Sequence, residues 1–492
     1  MAKEGSESYQ HILKYTGIFG GVQGLNIVLG LVRTKLIALL LGPSGMGLAS
    51  LFNTTVGFVS QATNLGVSFS AVRHISELYD RGDHVALAHF VKVVRGWSLL
   101  TALLGVLVCV MIGPFLSHTT FAWGNHSLHF MLLAPAVGML AITGGETAIL
   151  KGMRSLGAIA SVQVLAVVAA LVISIPIYYV FGESGIVPVI VLMAFATMLL
   201  TVRHSLRLMP LQLSGAKGIL GEGMEMVRLG VAFTLAAVIG SASEMLIRSY
   251  LNVVGDLDML GLYNAGYMLT ITYAGMVFSA MEADYFPRLS GVQHDINATN
   301  DCVNRQMEVS LLLLSPMLAG LMLSLPILIP LLFTSQFLPV VEMAQVATLA
   351  MYLKVMTLPV AYITLARGYS LSYLFLETSY FVVFVLLFVV GYEHWGLYGT
   401  GIAITLAHLF EYLLVNGYAY KKYGYRFSAT VSGYAILQIG IGLLLFLVTL
   451  LTEGFLYWGT GLLLVILSLC LSLHVLRQKT HLWEKLRQKI FF

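Results

Sequence analysis

What most constrains this chain is the recurrence, along its whole length, of nearly uncharged apolar stretches about 20 residues long. Each is long enough to cross the hydrocarbon of a bilayer as a helix. Only 10% of the residues are charged, against about 25% in an ordinary soluble domain. A water-exposed surface of normal extent cannot be built from that supply. The expected class is an all-α polytopic membrane protein.

The pattern gives fourteen spans, at roughly 14–41, 47–70, 97–116, 127–150, 158–181, 186–203, 228–251, 261–284, 308–333, 342–366, 373–392, 397–419, 430–451 and 457–476. An even count puts both termini on one side. With that side cytoplasmic, the inner segments and inner helix ends take up every Lys and Arg except Arg33, Lys35, Arg248 and Lys354. The outer loops carry Glu183, Asp256, Asp258, Glu393 and Glu453 instead. Such asymmetry is what the positive-inside rule demands, so both termini are expected in the cytoplasm. The polar start, Met1 to His11, lacks a small-residue cleavage site and reads as a tail.

Net charge is +4, but its spread over every inner loop argues against nucleic acid as a partner. Cys109, Cys302 and Cys470 are scattered and odd in number, suggesting neither a disulfide framework nor a zinc site. His118, His126 and His129 share one outer loop, where no metal site is expected. From Thr480 to Phe492 the residues Leu482, Trp483, Leu486 and Ile490 share a helical face opposite Lys and Arg, the pattern of an interfacial helix on the inner leaflet.

An internal repeat is visible. Arg33-Thr-Lys-Leu and Arg248-Ser-Tyr-Leu are followed at similar spacing by Gly47-Leu48 and Gly261-Leu262, and then by Arg73 and Arg288. Leu150-Lys-Gly-Met-Arg-Ser-Leu and Leu365-Ala-Arg-Gly-Tyr-Ser-Leu match at nearly the same offset. Two related six-helix bundles are expected, roughly 1–206 and 207–426, in parallel orientation because each holds an even number of helices. A further hairpin at roughly 427–476 and a tail at roughly 477–492 lie outside the repeat.

The four basic residues within spans would together cost about 10–14 kcal/mol even on the lenient insertion scale. They persist where a wet cavity or a partner meets them. Arg33 and Lys35 point in nearly opposite directions from their helix. Arg33 reads as an anion contact, while Lys35 reads equally as a side chain reaching the outer interface. Glu244 and Arg248, four residues apart, pair well on one helix. They form either a self-neutralising couple or, with Arg33 as repeat partner, part of an anion cradle in which guanidinium forks meet phosphate oxygens. Lys354 has no carboxylate four residues away and is the strongest single candidate. Glu146, and Glu411 with His408 on one face, read either as hydrogen bonds between helices or as groups exchanging a coupling proton, and Glu244 is a further candidate for ion coupling.

The segment Leu31-Val-Arg-Thr-Lys-Leu-Ile-Ala-Leu-Leu-Leu-Gly-Pro-Ser-Gly-Met-Gly-Leu, then Asn64-Leu-Gly-Val and Arg73-His-Ile-Ser-Glu, resembles the opening of the O-antigen translocases and lipid III flippases. These form the polysaccharide transporter branch of the multidrug/oligosaccharidyl-lipid/polysaccharide exporter superfamily. The resemblance implies two bundles around a central lumen in a bacterial inner membrane. It implies flipping of an undecaprenyl-diphosphate-linked oligosaccharide between leaflets, with basic lumen residues meeting the diphosphate. On this resemblance Lys35, Arg248 and Lys354 fall at basic positions, and the last two spans are similar to the extra hairpin of lipid II flippases. Partners would be that lipid-linked sugar, the bilayer and polysaccharide-export machinery. No cofactor is expected beyond a coupling ion, H+ or Na+. Two rival classes are a cation-coupled drug or metabolite antiporter, which would favour acidic lumen residues, and a membrane glycosyltransferase or polymerase, which would need a larger outer loop.

Overall fold

The computed structural model describes residues 2–120, 126–211 and 219–479, with most side chains from Gly24 onward. The tail helix expected over 480–492, together with Lys217 and the side chains of Lys14 and Arg228, lies outside the described residues. Fourteen α-helices follow one another: α1 Ala2–Thr63, α2 Val67–Asp80, α3 His84–Thr120, α4 Ser127–Gly152, α5 Leu156–Phe181, α6 Ile186–Leu208, α7 Ile219–Val254, α8 Leu257–Tyr267, α9 Tyr273–Gly291, α10 Ile296–Leu332, α11 Val340–Ala366, α12 Ser370–Tyr423, α13 Ala429–Leu451 and α14 Gly454–Lys479. A π-helical turn, Met268–Thr272, joins α8 to α9.

Nine stretches of the described chain are long and apolar enough to cross a membrane, and the protein is an all-helical multi-pass membrane protein. Gly157–Leu208 and Ser370–Tyr423 each hold two of the expected spans, and Gly24–Thr63 overlaps two. The expected spans over α7 and over α8 with α9 are not among the nine.

Helix α1 breaks at Gly42, whose φ of 64° and ψ of −170° belong to a region open only to glycine. Pro43 enforces the break, since its ring bars the preceding residue from the helical region. Proline is harmless there itself, because the first turn of a helix needs no N–H donor. Helix α12 breaks in the same way at Gly396, φ 55°. Helix α10 instead carries Pro316, Pro326 and Pro330 without losing continuity.

The described chain divides into two compact units. One comprises Leu25–Asn264 with Leu332–Thr334; the other includes Ala265–Leu331 and the chain from Ser335. In the first unit α3 packs along α4 and α7, and α4 along α6. Helix α2 is an addition to the expected elements, which ended span 2 near residue 70. Its Val67, Ala71 and Ile75, four residues apart, are buried against Val91, Val94 and Ile149. Its Arg73 and Glu77 pair at 3.0 Å on the exposed face. Amphipathic periodicity over four turns forms it.

Positions matched by the sequence repeat touch one another in this unit. A Cβ on Gly47 would lie 3.0 Å from the Gly261 nitrogen, and a Cβ on Gly261 would collide with the Pro43 carbonyl. The second half of α1 and α8 therefore meet backbone to backbone, which only small residues permit. Three residues further along each helix, Ser50 Oγ donates to Asn264 Oδ1 at 2.8 Å.

In the other unit α11 packs along α12, α9, the π-helical turn and α13. The hairpin of α13 and α14 is closed by buried amide and hydroxyl groups: Gln438 Nε2 donates to Ser472 Oγ at 2.9 Å, and Ser468 Oγ donates to Gln438 Oε1 at 2.6 Å. Tyr457 Oη ties the hairpin to α10 through the Leu323 carbonyl at 2.9 Å. The polar residues lie inside and large apolar ones such as Phe455 and Leu463 outside, the inverse of a water-soluble protein and the arrangement a lipid solvent selects.

Candidate functional site

In the first unit three of the four membrane-depth cations are tied to polar groups. Arg33, in the first half of α1, donates from Nε to Ser174 Oγ on α5 at 3.3 Å, and its Nη2 lies 3.2 Å from Met193 Sδ on α6. Lys35, two residues on, donates to the Phe333 carbonyl of the same unit. The different partners follow from the near-opposite directions of residues i and i+2 on a helix.

Arg248 is 5% exposed. Its Nε donates to Ser50 Oγ at 3.0 Å, and Nη1 lies 3.3 Å from both the carbonyl and the Oε2 of Glu244. The chain Arg248 to Ser50 to Asn264 thus runs through the contact of α1 and α8. Glu244 is 41% exposed while Arg248 is not, so the carboxylate stands toward the edge of the protein and the guanidinium is the inserted member.

Glu146 on α4 sits in a closed clamp. Arg95 on α3 grips it with two parallel bonds, Nε to Oε1 at 2.9 Å and Nη2 to Oε2 at 3.2 Å. Nη2 also reaches Ser205 Oγ at 3.3 Å and the Met209 carbonyl at 2.9 Å. Side chains are 12% and 7% exposed. Bidentate geometry combined with further bonds from the same guanidinium helps a buried ion pair repay its desolvation. The clamp joins α3, α4 and α6 at their shared end, and its carboxylate is committed to structure.

The second unit holds a cluster of a different kind. Lys354 on α11, Glu377 in the first half of α12, and His408 and Glu411 in its second half interact electrostatically. Among the described residues no hydrogen bond or ion pair within 4 Å holds the Lys354 amine. His408 is 3% exposed; its Nδ1 sits 2.9 Å from the Ile404 carbonyl, to which it can only donate, and 3.4 Å from Tyr380 Oη. That bond assigns the lone pair of a neutral ring to Nε2, which faces Glu411 Oε2 at 4.0 Å. Among the described residues both of these atoms are buried without a hydrogen-bond partner. Tyr373 hydrogen-bonds Glu377. Three acid-base groups and one amine therefore converge, with unmet capacity for a proton, a small cation or an anion.

The sequence pointed to Lys354, His408 and Glu411 separately. It missed Glu377, which falls in the first turns of span 11. The break at Gly396, a Gly in a Trp-Gly-Leu-Tyr-Gly run, was the available signal that α12 doubles back to bring residues 377 and 411 together. For Arg95, read only as an inner-loop charge, the missing information was that α3 begins at His84 and carries it into the protein.

Comparison with known proteins agrees with this architecture. The polysaccharide biosynthesis protein family matches residues 36–342. The lipid III flippase of Escherichia coli (strain K12) is 22% identical over 388 residues, covering 74% of this chain and 86% of that protein. The lipid III flippase of Shigella flexneri matches equally. Among solved structures, a lipid II flippase in an inward closed conformation superposes with a TM-score of 0.69 at 14% identity, over 94% of this chain and 99% of that one. An inward-facing multidrug resistance transporter gives 0.67 at 14% identity, over 84% and 95%. This chain shares the fold of both, and by the match over residues 36–342 it belongs to the polysaccharide biosynthesis protein family.

Proposed function

We propose that the protein is a flippase that moves an undecaprenyl-diphosphate-linked oligosaccharide from the inner to the outer leaflet of a bacterial inner membrane, for cell-surface polysaccharide. In this reading fourteen spans, both termini cytoplasmic, form two six-helix bundles about a lumen with α13 and α14 appended. The glycine breaks in α1 and α12 support that count, because each divides a helix of 62 or 54 residues into two pieces that are each long enough to cross a bilayer.

The observation that carries the reading is Lys354: an amine in a membrane helix, unpaired among the described residues, with two carboxylates and a histidine facing it. A diphosphate competes with those carboxylates for the amine, and Arg33, Lys35 and Arg248 are the further contacts we assign to it. Head-group hydration is replaced by fixed positive charge while the polyprenyl tail stays in lipid. Glu377, His408 and Glu411 take the coupling ion, H+ or Na+. Because one amine serves either the carboxylates or the diphosphate, occupancy by cation and by substrate are linked, and each changes the affinity of the other by the same factor.

The half-buried carboxylates Glu377 and Glu411 favour a second reading, antiport of a cationic compound. One experiment separates them. In cells lacking the chromosomal copy, Lys354→Gln should leave a lipid-linked oligosaccharide on the inner leaflet and leave export of cationic dyes unchanged. Full surface polysaccharide with both Lys354→Gln and Arg248→Gln rejects the flippase assignment.

A further inference from the structure

In the second unit the chain assembles a cationic head site at the mouth of an apolar groove. The first half of α12 places Leu371, Phe375, Thr378 and Val382 on one stripe, and with Leu374 and Phe410 they line an open groove of about 580 Å³. From Leu371 to Val383 is twelve residues, about 18 Å along a helix, compared with about 15 Å for the hydrocarbon of one leaflet.

Beside Leu371 the character changes. Ser372 Oγ accepts from Tyr418 Oη at 2.6 Å and from Lys422 Nζ at 2.8 Å, and Lys422 also lies 2.7 Å from Tyr418 Oη. The same ammonium stands over the rings of Tyr369 and Tyr418, 4.9 and 5.1 Å from their centroids. Arg367 lies over the Tyr423 ring at 5.0 Å, and its Nε is buried without a hydrogen-bond partner. Among the described residues neither Lys422 nor Arg367 pairs with a carboxylate. Two hydroxyl contacts leave the ammonium one further N–H, and the residue is exposed. A fixed positive corner, hydroxyl-buttressed and lacking its anion, opens onto a lipid-length groove.

We propose that this is a site for one anionic glycerophospholipid of the cytoplasmic leaflet, its phosphate at Lys422 and Arg367 and one acyl chain along the stripe. The assignment to that leaflet rests on the orientation adopted above. Charge selects the head, as basic pockets at the cytoplasmic ends of membrane helices select anionic lipids. Length selects the tail: the groove ends after one leaflet, where a polyprenyl chain several times longer would overrun it.

The test is native mass spectrometry of the full-length protein in detergent, titrated with palmitoyl-oleoyl phosphatidylglycerol or the matching phosphatidylcholine. One phosphatidylglycerol should be retained over phosphatidylcholine by about fivefold or more, the effect of a single basic residue at a membrane surface. Lys422→Gln, by removing the charge, and Thr378→Trp, by filling the groove, should each abolish that preference; Lys422→Arg and Lys421→Gln should keep it. If Lys422→Gln does not yield monodisperse protein, Thr378→Trp set against Lys422→Arg decides alone. Equal retention of the two lipids overturns the proposal, as does a preference that survives Thr378→Trp. Displacement of phosphatidylglycerol by equimolar undecaprenyl diphosphate also overturns it, since the groove would then serve the flippase substrate.

Discussion

The Arg95–Glu146 clamp and the Lys354 cluster place similar chemistry, a base beside carboxylate, in two regions of one apolar protein, and differ in whether the carboxylate oxygens and the groups facing them are met. In the clamp the Nε and Nη2 donors of Arg95 and both carboxylate oxygens have partners at hydrogen-bond distance. In the cluster Glu411 Oε2 and His408 Nε2 have none. A satisfied buried network fixes helices in place, whereas unmet polar atoms in low dielectric are costly and call for an explanation such as a bound ion or proton. Structural charge and functional charge are thus told apart by completeness, with burial alone uninformative.

Four substitutions sharpen or break that contrast. The largest effect should come from Arg95→Ala, which strands a buried carboxylate and should destabilise the protein by about 3–5 kcal/mol, read as a lowered unfolding midpoint in nanodiscs. Replacing both partners, Arg95→Met with Glu146→Leu, should recover most of this loss; failure to recover would mean that the clamp does more than hold helices. Next, Lys354→Gln should cut oligosaccharide flipping by about 30-fold or more, the effect of removing one member of a close charge contact, while the unfolding midpoint changes little. A large stability loss without a transport defect would make Lys354 structural and erase the distinction.

Glu411→Gln tests the coupling half of the cluster. Gradient-driven flipping should fall by about tenfold, within the usual range of coupling between sites, while exchange without a gradient persists in proteoliposomes. Equal loss in both assays would assign Glu411 to substrate binding. The smallest effect is expected for Arg73→Ala on α2, whose pair with Glu77 is 80% and 43% exposed. It should change stability by less than about 1 kcal/mol, and a larger change would mean that exposed pairs matter here as much as closed ones.

Depth in the membrane was legible in the sequence, and azimuth was not. Arg33, Lys35, Arg248 and Lys354 stood out because a charge within an apolar run is costly wherever it points. Their partners lie 141 to 298 residues away for Arg33 and Lys35, and no spacing rule reaches so far. The break at Gly42 could be read from Gly-Pro. The π-helical turn at Met268–Thr272 could not, since its wider bonding leaves no residue signature in Met-Leu-Thr-Ile-Thr. Helix α2 was absorbed into a loop because Arg73, Glu77 and Asp80 mask an apolar stripe only three residues long. For Glu146 the sequence offered both proton exchange and helix–helix bonding, and Arg95, itself assigned to a loop, was what decided the geometry.

The three prolines of α10 carry a mechanical consequence. Each deletes one donor from the ladder that stiffens a helix, so this strut of 37 residues yields to curvature more readily than α3 of equal length, which has Pro114 alone. Elastic strain spread over the second unit would collect where resistance is least, in the stretch from Pro316 to Pro330. Tyr457, hydrogen-bonded to the Leu323 carbonyl inside that stretch, makes the appended hairpin a splint across the weakest part of the frame.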